Sequence, residues 1–282
     1  MGQEKFDDIG IPLFYVERRY PTSRAIELHP DLIPFLKTRD PPRINKESRE
    51  ALLLYNYYVA QDLFNLTIEF ERDVAIVPTP VMRYAFLQHL IHPNCSIIEI
   101  GTGASAIIAL IAAKCFNAQV YATEMDPTYI EYAKRNVNAN KLENKIHVIN
   151  SHGKFLDGVI PENLKVDFIL SNPPYYDKIL SPKVLWGGKK HELVGEGSQG
   201  ENFIISMIEE GWKYLKTPGC IAFIIPKTRV ATMNVIEEFL NEQDMEYDII
   251  GILAGNRTRY VFRIYKKYFD SYFSEFDSNK IS

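Results

Sequence analysis

The chain has 282 residues, 46 % hydrophobic and 24 % charged, which is ample for a large buried core in one big domain or in one domain plus a smaller module. No stretch approaches the roughly 18–20 uninterrupted apolar residues of a membrane helix. The polar, acidic start MGQEKFDDIG carries no signal peptide and, with Phe6 at the sixth position, no myristoylation site, so a cytoplasmic protein without a membrane span is expected.

Cys95, Cys115 and Cys220 sit in or beside apolar segments without paired spacing and read as reduced core thiols. The six histidines form no metal-binding cluster, so no metal is expected. A net charge of −4 argues weakly against a nucleic-acid partner, yet basic residues bunch in four places. These are Arg18, Arg19 and Arg24; Arg39, Arg43, Lys46 and Arg49; Lys178, Lys183, Lys189 and Lys190; and Arg257, Arg259, Arg263, Lys266 and Lys267. Single runs of this kind are usually solvated faces. Four of them in an acidic chain suggest a one-sided basic surface.

Residues 1–45, rich in Pro and charge, read as irregular structure with a short helical turn. Apolar residues at helical spacing predict a helix over 46–66, flanked by short strands at TIEF and DVAIV. A second helix is predicted over 79–91, with Thr79 as N-cap and Pro80 in its first turn. HPN at 92–94 marks a boundary, giving an N-terminal module (1–92) and a second domain (93–282). Beyond it strands and helices alternate, which specifies a parallel sheet covered on both faces. Seven strands are expected, the last reversed and paired with its predecessor through AGNRTR.

Three motifs carry the chemistry. EIGTGAS, Glu99 to Ser105, follows the first strand of that sheet and opens a helix. Gly101 and Gly103 let backbone approach a ligand closely. Ala106 stands where a dinucleotide fingerprint has its third glycine, and no Gly-Lys-Ser/Thr follows, so a pyrophosphate is not required. Glu124 ends the second strand, 23 residues after Gly101, where a carboxylate accepts hydrogen bonds from ribose hydroxyls. Asp126, followed by Pro127, reads instead as a helix cap. Together these suit an adenosine-containing cofactor.

Asn172-Pro173-Pro174-Tyr175 ends the fourth strand on the same sheet edge. The prolines remove donors and stiffen the turn, so its carbonyls can face outward. Asn172 offers a side-chain oxygen, Pro173 a carbonyl and Tyr175 a flat ring, which suits a planar amine. Two acceptors on its N–H groups concentrate lone-pair density on a nitrogen that can then attack a sulfonium methyl in line.

In the order EIGTGAS, ATE, SNPPYY, the chain resembles S-adenosylmethionine-dependent amino-methyltransferases. More narrowly, it resembles the methyltransferase-like protein 16 / RlmF family of N6-adenine RNA methyltransferases. The likeness runs from about Ile97 to Tyr265 and includes ATEMDPTYIEYAKRNVNANKL, GEGSQGENFI and GNRTRYVFRI, the last two setting this family apart from others sharing only Asn-Pro-Pro-Tyr.

The resemblance implies an α/β fold, a Rossmann-like seven-stranded class I methyltransferase sheet with a small N-terminal α+β module. It also implies S-adenosyl-L-methionine as cofactor, held by Gly101, Gly103, Glu124 and the Asn172 side chain, with Glu99 and Thr102 in the same loop. The adenine would lie between Asn172, Pro173 and Tyr175. Arg83 is the nearest match to a family arginine that touches the cofactor's carboxylate, although its spacing to the first strand is shorter. Tyr175 stands where the family more often has Phe. The pocket for the cofactor's adenine ring should fall near Asn150 to His152.

The Gly-rich stretch 177–200, with four lysines, reads as a mobile clamp on RNA backbone, and residues 1–92 as a second RNA grip. The expected activity is N6-methylation of a flipped-out adenosine in structured RNA, rRNA or snRNA-like, by a monomer. Protein-glutamine N5-methylation and DNA amino-methylation share the acceptor motif; the first predicts a compact helical N-terminal bundle rather than an irregular, arginine-rich one. A non-catalytic RNA-binding subunit has no reason to keep Gly101, Gly103, Glu124 and Asn172 together.

Overall fold

The computed structural model describes residues 5–69, 75–179, 188–254 and 257–266. Strands β1 (Lys5–Phe6) and β2 (Pro12–Tyr15) come first, then helix α1 (Thr22–Leu28) and the hairpin β3 (Leu36–Arg39) and β4 (Pro42–Ile44). Helix α2 (Arg49–Phe64) starts at Ser48, whose hydroxyl accepts the Ala51 N–H, and ends at Asn65 in the left-handed region, which unwinds the last turn. Helix α3 (Pro80–Gln88) starts after Thr79, whose side chain makes no capping bond; Pro80 alone sets the first turn.

Next come β5 (Ser96–Ile100), α4 (Ile107–Phe116), β6 (Gln119–Glu124), α5 (Pro127–Ala139), β7 (Ile146–Asn150) and β8 (Val166–Ser171). They are followed by α6 (Asn202–Gly211), β9 (Leu215–Pro226), α7 (Val230–Glu242), β10 (Glu246–Ala254) and β11 (Arg257–Lys266). The expected alternation is present, and Asp126 caps α5 by accepting the Thr128 and Tyr129 N–H groups.

The main sheet runs β1-β2-β10-β11-β9-β8-β5-β6-β7. Strands β5 to β9 pair in parallel, while β11 runs antiparallel to β9 and β10. This is the expected seven-stranded unit with a reversed last strand. Two N-terminal strands, expected as irregular chain, widen it to nine. They dock because Leu13 lies opposite Gly251, where a Cβ would come within 2.4 Å of the Leu13 side chain. Glycine there admits the added strand without displacing the Leu13 side chain, and that strand covers what would be an open sheet edge.

One apolar layer, including Phe64, Phe86, Leu110 and Val137, lies between the sheet and α2 to α5. The other, including Ile204, Ile208, Met233 and Ile236, lies beneath α6 and α7. Cys95 and Cys220 are core residues, but Cys115, expected with them, is exposed on α4.

The strands expected at TIEF and DVAIV are absent among the described residues, 70–74 lying outside them. Side chains of α5 replace a sheet partner there. Asn140 takes the Thr67 N–H at 2.9 Å and returns a bond to the Thr67 carbonyl at 2.7 Å. Asn136 does the same for Glu69, at 2.6 and 3.0 Å. With its amides satisfied by carboxamides, the segment needs no ladder.

Candidate active site

Strand order reverses beside β5: the chain fills β6 and β7 on one side, then crosses to β8 on the other. Loops leaving the carboxyl ends of β5 and β8 therefore diverge, and a crevice opens between them. The crevice is a cavity of about 410 Å³. Arg83, Glu99, Gly101, Thr102, Gly103, Glu124 and Asn172, the seven residues expected at the cofactor, all line it.

The glycine loop is shaped by two left-handed residues, Gly101 (φ 73°) and Gly103 (φ 67°). No atom lies within 4 Å of where a Cβ would stand on either, so both present bare backbone to open space. The Gly101 and Thr102 N–H groups donate to the Thr123 carbonyl, both at 3.0 Å, tying the loop to the end of β6.

Glu124, buried at that end, accepts from Gly103 N–H at 3.0 Å through one oxygen, and from Met125 and Asp126 at 2.8 and 2.9 Å through the other. Its aim is fixed by backbone. A carboxylate has about four lone-pair directions, so at least one remains for a ligand hydroxyl.

Below the loop, Glu99 is 2 % exposed and accepts the Thr102 hydroxyl at 2.8 Å and the Ala109 N–H at 3.1 Å. Burial pushes its carboxyl up to about 7, against the pull of those hydrogen bonds and of Arg83, while Glu124 adds a like charge. Arg83 is half-buried, and its guanidinium makes no hydrogen bond among the described residues. Burial pulls it down to about 10; Tyr175 and Glu99 favour its charge and Arg259 opposes it.

The acceptor turn follows β8. The Asn172 side-chain amide makes no hydrogen bond to another described residue, so it is uncommitted. Asn172 and Pro174 line the cavity; Pro173 is buried beside them, and the half-buried Tyr175 ring packs against the core beneath α6. The Tyr175 and Tyr176 N–H groups both donate to the Leu193 carbonyl, at 3.0 and 2.9 Å, and Gly195 N–H returns to the Tyr176 carbonyl at 3.0 Å. A Cβ on Gly195 would meet the Pro174 carbonyl oxygen at 2.6 Å, and one on Gly200 would meet the Tyr175 carbonyl carbon at 2.6 Å. Glycines in GEGSQGE thus let this segment lie directly on the turn.

The described part of 177–200, expected as a mobile clamp on RNA backbone, adjoins this turn. Residues 180–187, with Lys183, lie outside the described ones, but 188–200 is folded over the cavity. Glu192 anchors it by accepting the Tyr129 hydroxyl at 2.6 Å, the Lys189 N–H at 2.9 Å and the Ile76 N–H at 3.3 Å. Lys189 pairs with Asp126. Burial raises the Glu192 carboxyl despite those bonds. Glu192 and Tyr129 were missed as site residues because the bonds that hold them there span 63 and 116 positions; the unusual glycine density of 195–200 hinted at close approach. Of the expected Asn150–His152, Ser151 lines the cavity, followed by Gly153, Lys154 and Phe155. Asn150 instead receives the His152 N–H at 2.8 Å, closing a turn.

A family model described as RNA methyltransferase matches residues 86–184. Putative methyltransferase MJ0046 of Methanocaldococcus jannaschii is 39 % identical over 239 residues, 80 % of this chain and 90 % of that protein. RNA N(6)-adenosine-methyltransferase mettl16 of Danio rerio is 33 % identical over 148 residues, 50 % of this chain and 31 % of that one. Release factor glutamine methyltransferase of Aquifex aeolicus is 30 % identical over 161 residues, 56 % and 54 % of the two chains. The solved hMettl16 catalytic domain in complex with MAT2A 3'UTR hairpin 1 matches with a TM-score of 0.76 over 90 % of this chain and 93 % of its own, at 22 % identity. The shared fold is that of class I methyltransferases.

Proposed function

The chain belongs to the RNA methyltransferase family of methyltransferase-like protein 16 and RlmF, and on that premise we propose that it methylates the N6 amine of an adenosine in structured RNA. The cofactor is S-adenosyl-L-methionine, which supplies an electrophilic methyl group on a sulfonium. The cavity residues suit it. Gly101 and Gly103 offer the bare backbone a close ligand requires, Glu124 an acceptor for ribose hydroxyls, and Arg83 a guanidinium without a hydrogen bond among the described residues for the methionine carboxylate.

The observation that carries the proposal is the pairing of this cavity with an uncommitted Asn172 amide at the end of β8. The Asn172 side-chain oxygen and the Pro173 carbonyl each accept one N–H of the exocyclic amine. Lone-pair density then gathers on that nitrogen, facing the cavity, and Tyr175 supports the ring. Positioning and electrostatics supply the catalysis, with no strongly basic side chain in the turn.

RNA is favoured over a protein glutamine by charge. Arg259 makes no side-chain hydrogen bond or ion pair among the described residues and lies near enough to Tyr175 of the acceptor turn to act on it. An anionic substrate backbone would pair with that cation, and a neutral glutamine would not. Residues 1–92 supply a further RNA grip, and the protein acts as a cytoplasmic monomer. Among the described residues no helix is long and apolar enough to cross a membrane, and no side-chain group could hold a metal. Incubation with labelled S-adenosylmethionine and RNA, DNA or protein fractions, followed by nucleoside analysis, tests the proposal. N6-methyladenosine in RNA is expected; label in protein alone overturns it.

A further inference from the structure

Arg229 stands in the connection between β9 and α7, outside the cavity, and the chemistry above leaves it unused. Its guanidinium carbon lies 4.9 Å from the centre of the Tyr176 ring, and that ring lies 4.9 Å from the ring of Tyr175. One terminal nitrogen donates to the Gln199 carbonyl at 3.2 Å and to the Thr232 hydroxyl at 3.3 Å. Thr232, fully buried, donates to the same carbonyl at 2.6 Å. Gln199 in turn donates its N–H to Glu201 at 2.7 Å, and the next residue, Gly200, lies against the Tyr175 backbone.

Two routes thus lead from one side chain to the acceptor turn. One passes through the two tilted tyrosine rings, the other through the glycine segment. As a stabilising device Arg229 is poorly arranged. It has no carboxylate partner among the described residues, and its Nε is buried without a hydrogen bond. A buried, unsatisfied donor lowers stability. What the arrangement supplies is rigidity at the turn.

We propose that Arg229 is a positioning residue: through Tyr176 and the Gln199 carbonyl it holds Asn172 to Tyr175 in the geometry that amine methylation needs, touching neither substrate nor cofactor. The inference rests on the methyltransferase reading. Displacement of a reacting group by about 1 Å costs up to roughly 100-fold in rate. Arg229→Met and Tyr176→Leu are therefore each expected to lower kcat on RNA by about 10- to 100-fold, with KM for RNA and affinity for S-adenosylhomocysteine unchanged. Because both cut the same strut, the double variant should lose little more than either alone. Arg229→Lys and Tyr176→Phe keep a cation over a ring and should recover to within about 3-fold of the parent.

The decisive experiment measures kcat, S-adenosylhomocysteine affinity, melting temperature and amide exchange at Tyr175, Tyr176 and Gly195 in all four single variants. Faster exchange at those amides with lost kcat, rescued by the conservative pair, supports the proposal. Kcat unchanged in folded Arg229→Met, or a loss that tracks melting temperature and is not rescued, overturns it. If Arg229→Met does not fold, the Tyr176 pair decides by the same criteria. A parent protein that transfers no methyl to RNA fails the functional reading instead; exchange at the turn then still decides, and unchanged protection in Arg229→Met or Tyr176→Leu overturns the positioning role.

Discussion

On the cofactor side of the cavity, each group is fixed by neighbours close in sequence. Thr102 reaches Glu99 three residues back, and Glu124 receives Gly103 across 21 residues within one strand-helix-strand unit. On the acceptor side, the turn at 172–176 rests on Leu193, Gly195, Gly200 and Arg229, all brought in by later elements. The glycine loop and Glu124 are therefore shaped once β5, α4 and β6 have formed, with Arg83 supplied by α3 and Asn172 by the end of β8. The acceptor side depends on the fold around it. Cofactor affinity and turnover should separate by mutation along this line.

Asn172→Ala should break the acceptor side outright. Turnover is expected to fall by about 10³-fold, with S-adenosylhomocysteine binding partly retained, as calorimetry would show, because Gly101, Gly103 and Glu124 remain. Retained turnover would remove Asn172 from the mechanism. Gly200→Ala should lower kcat by about 100-fold, since the new Cβ meets the Tyr175 backbone at 2.6 Å in a left-handed residue (φ 83°). Here cofactor affinity should hold. An equal loss of both would erase the distinction between the two sides.

Glu99 sharpens the cofactor side through pH. Burial raises its carboxyl from an ordinary 4.5 to about 7, so between those values the folded protein keeps a proton that the unfolded chain has lost. Stability then falls as pH rises through that window, by ~2–3 kcal/mol, and levels off above it. Glu99→Gln should flatten that slope in melts between pH 5 and 8; an unchanged slope would assign it to other groups. The smallest effect is expected from Gly103→Ala. Its Cβ enters open space, so only the left-handed backbone (φ 67°) is strained. Affinity for S-adenosylhomocysteine should drop by about 10-fold, with kcat at saturating cofactor nearly intact.

The same division governs how much the sequence revealed. Gly101, Gly103, Glu124 and the Asp126 cap were legible because each residue type answers a local need: a positive φ, a carboxylate at a strand end, or an oxygen at a helix start. Asn-Pro-Pro-Tyr was legible for the same reason. Folding of 188–200 over the cavity was not, because it depends on Glu192 finding Tyr129 and Ile76 across 63 and 116 residues. TIEF (67–70) read as strand, since nothing local announces that Asn136 of α5 and its C-cap Asn140 will satisfy the Glu69 and Thr67 amides. The N-terminal strands were hidden likewise: four residues beside a proline carry little periodicity, and their docking depends on a side chain missing from Gly251.

That last contact has a consequence in time. Leu13 leaves the ribosome 238 residues before Gly251. At about 5–20 residues per second this is an interval of roughly 10–50 s. Throughout it Pro12–Tyr15 has only the two-residue β1 to pair with, and its second partner, β10, arrives when nearly the whole sheet has been made. Docking at this edge therefore waits for β10, and the chain must keep Phe14 and Tyr15 out of wrong partnerships until then.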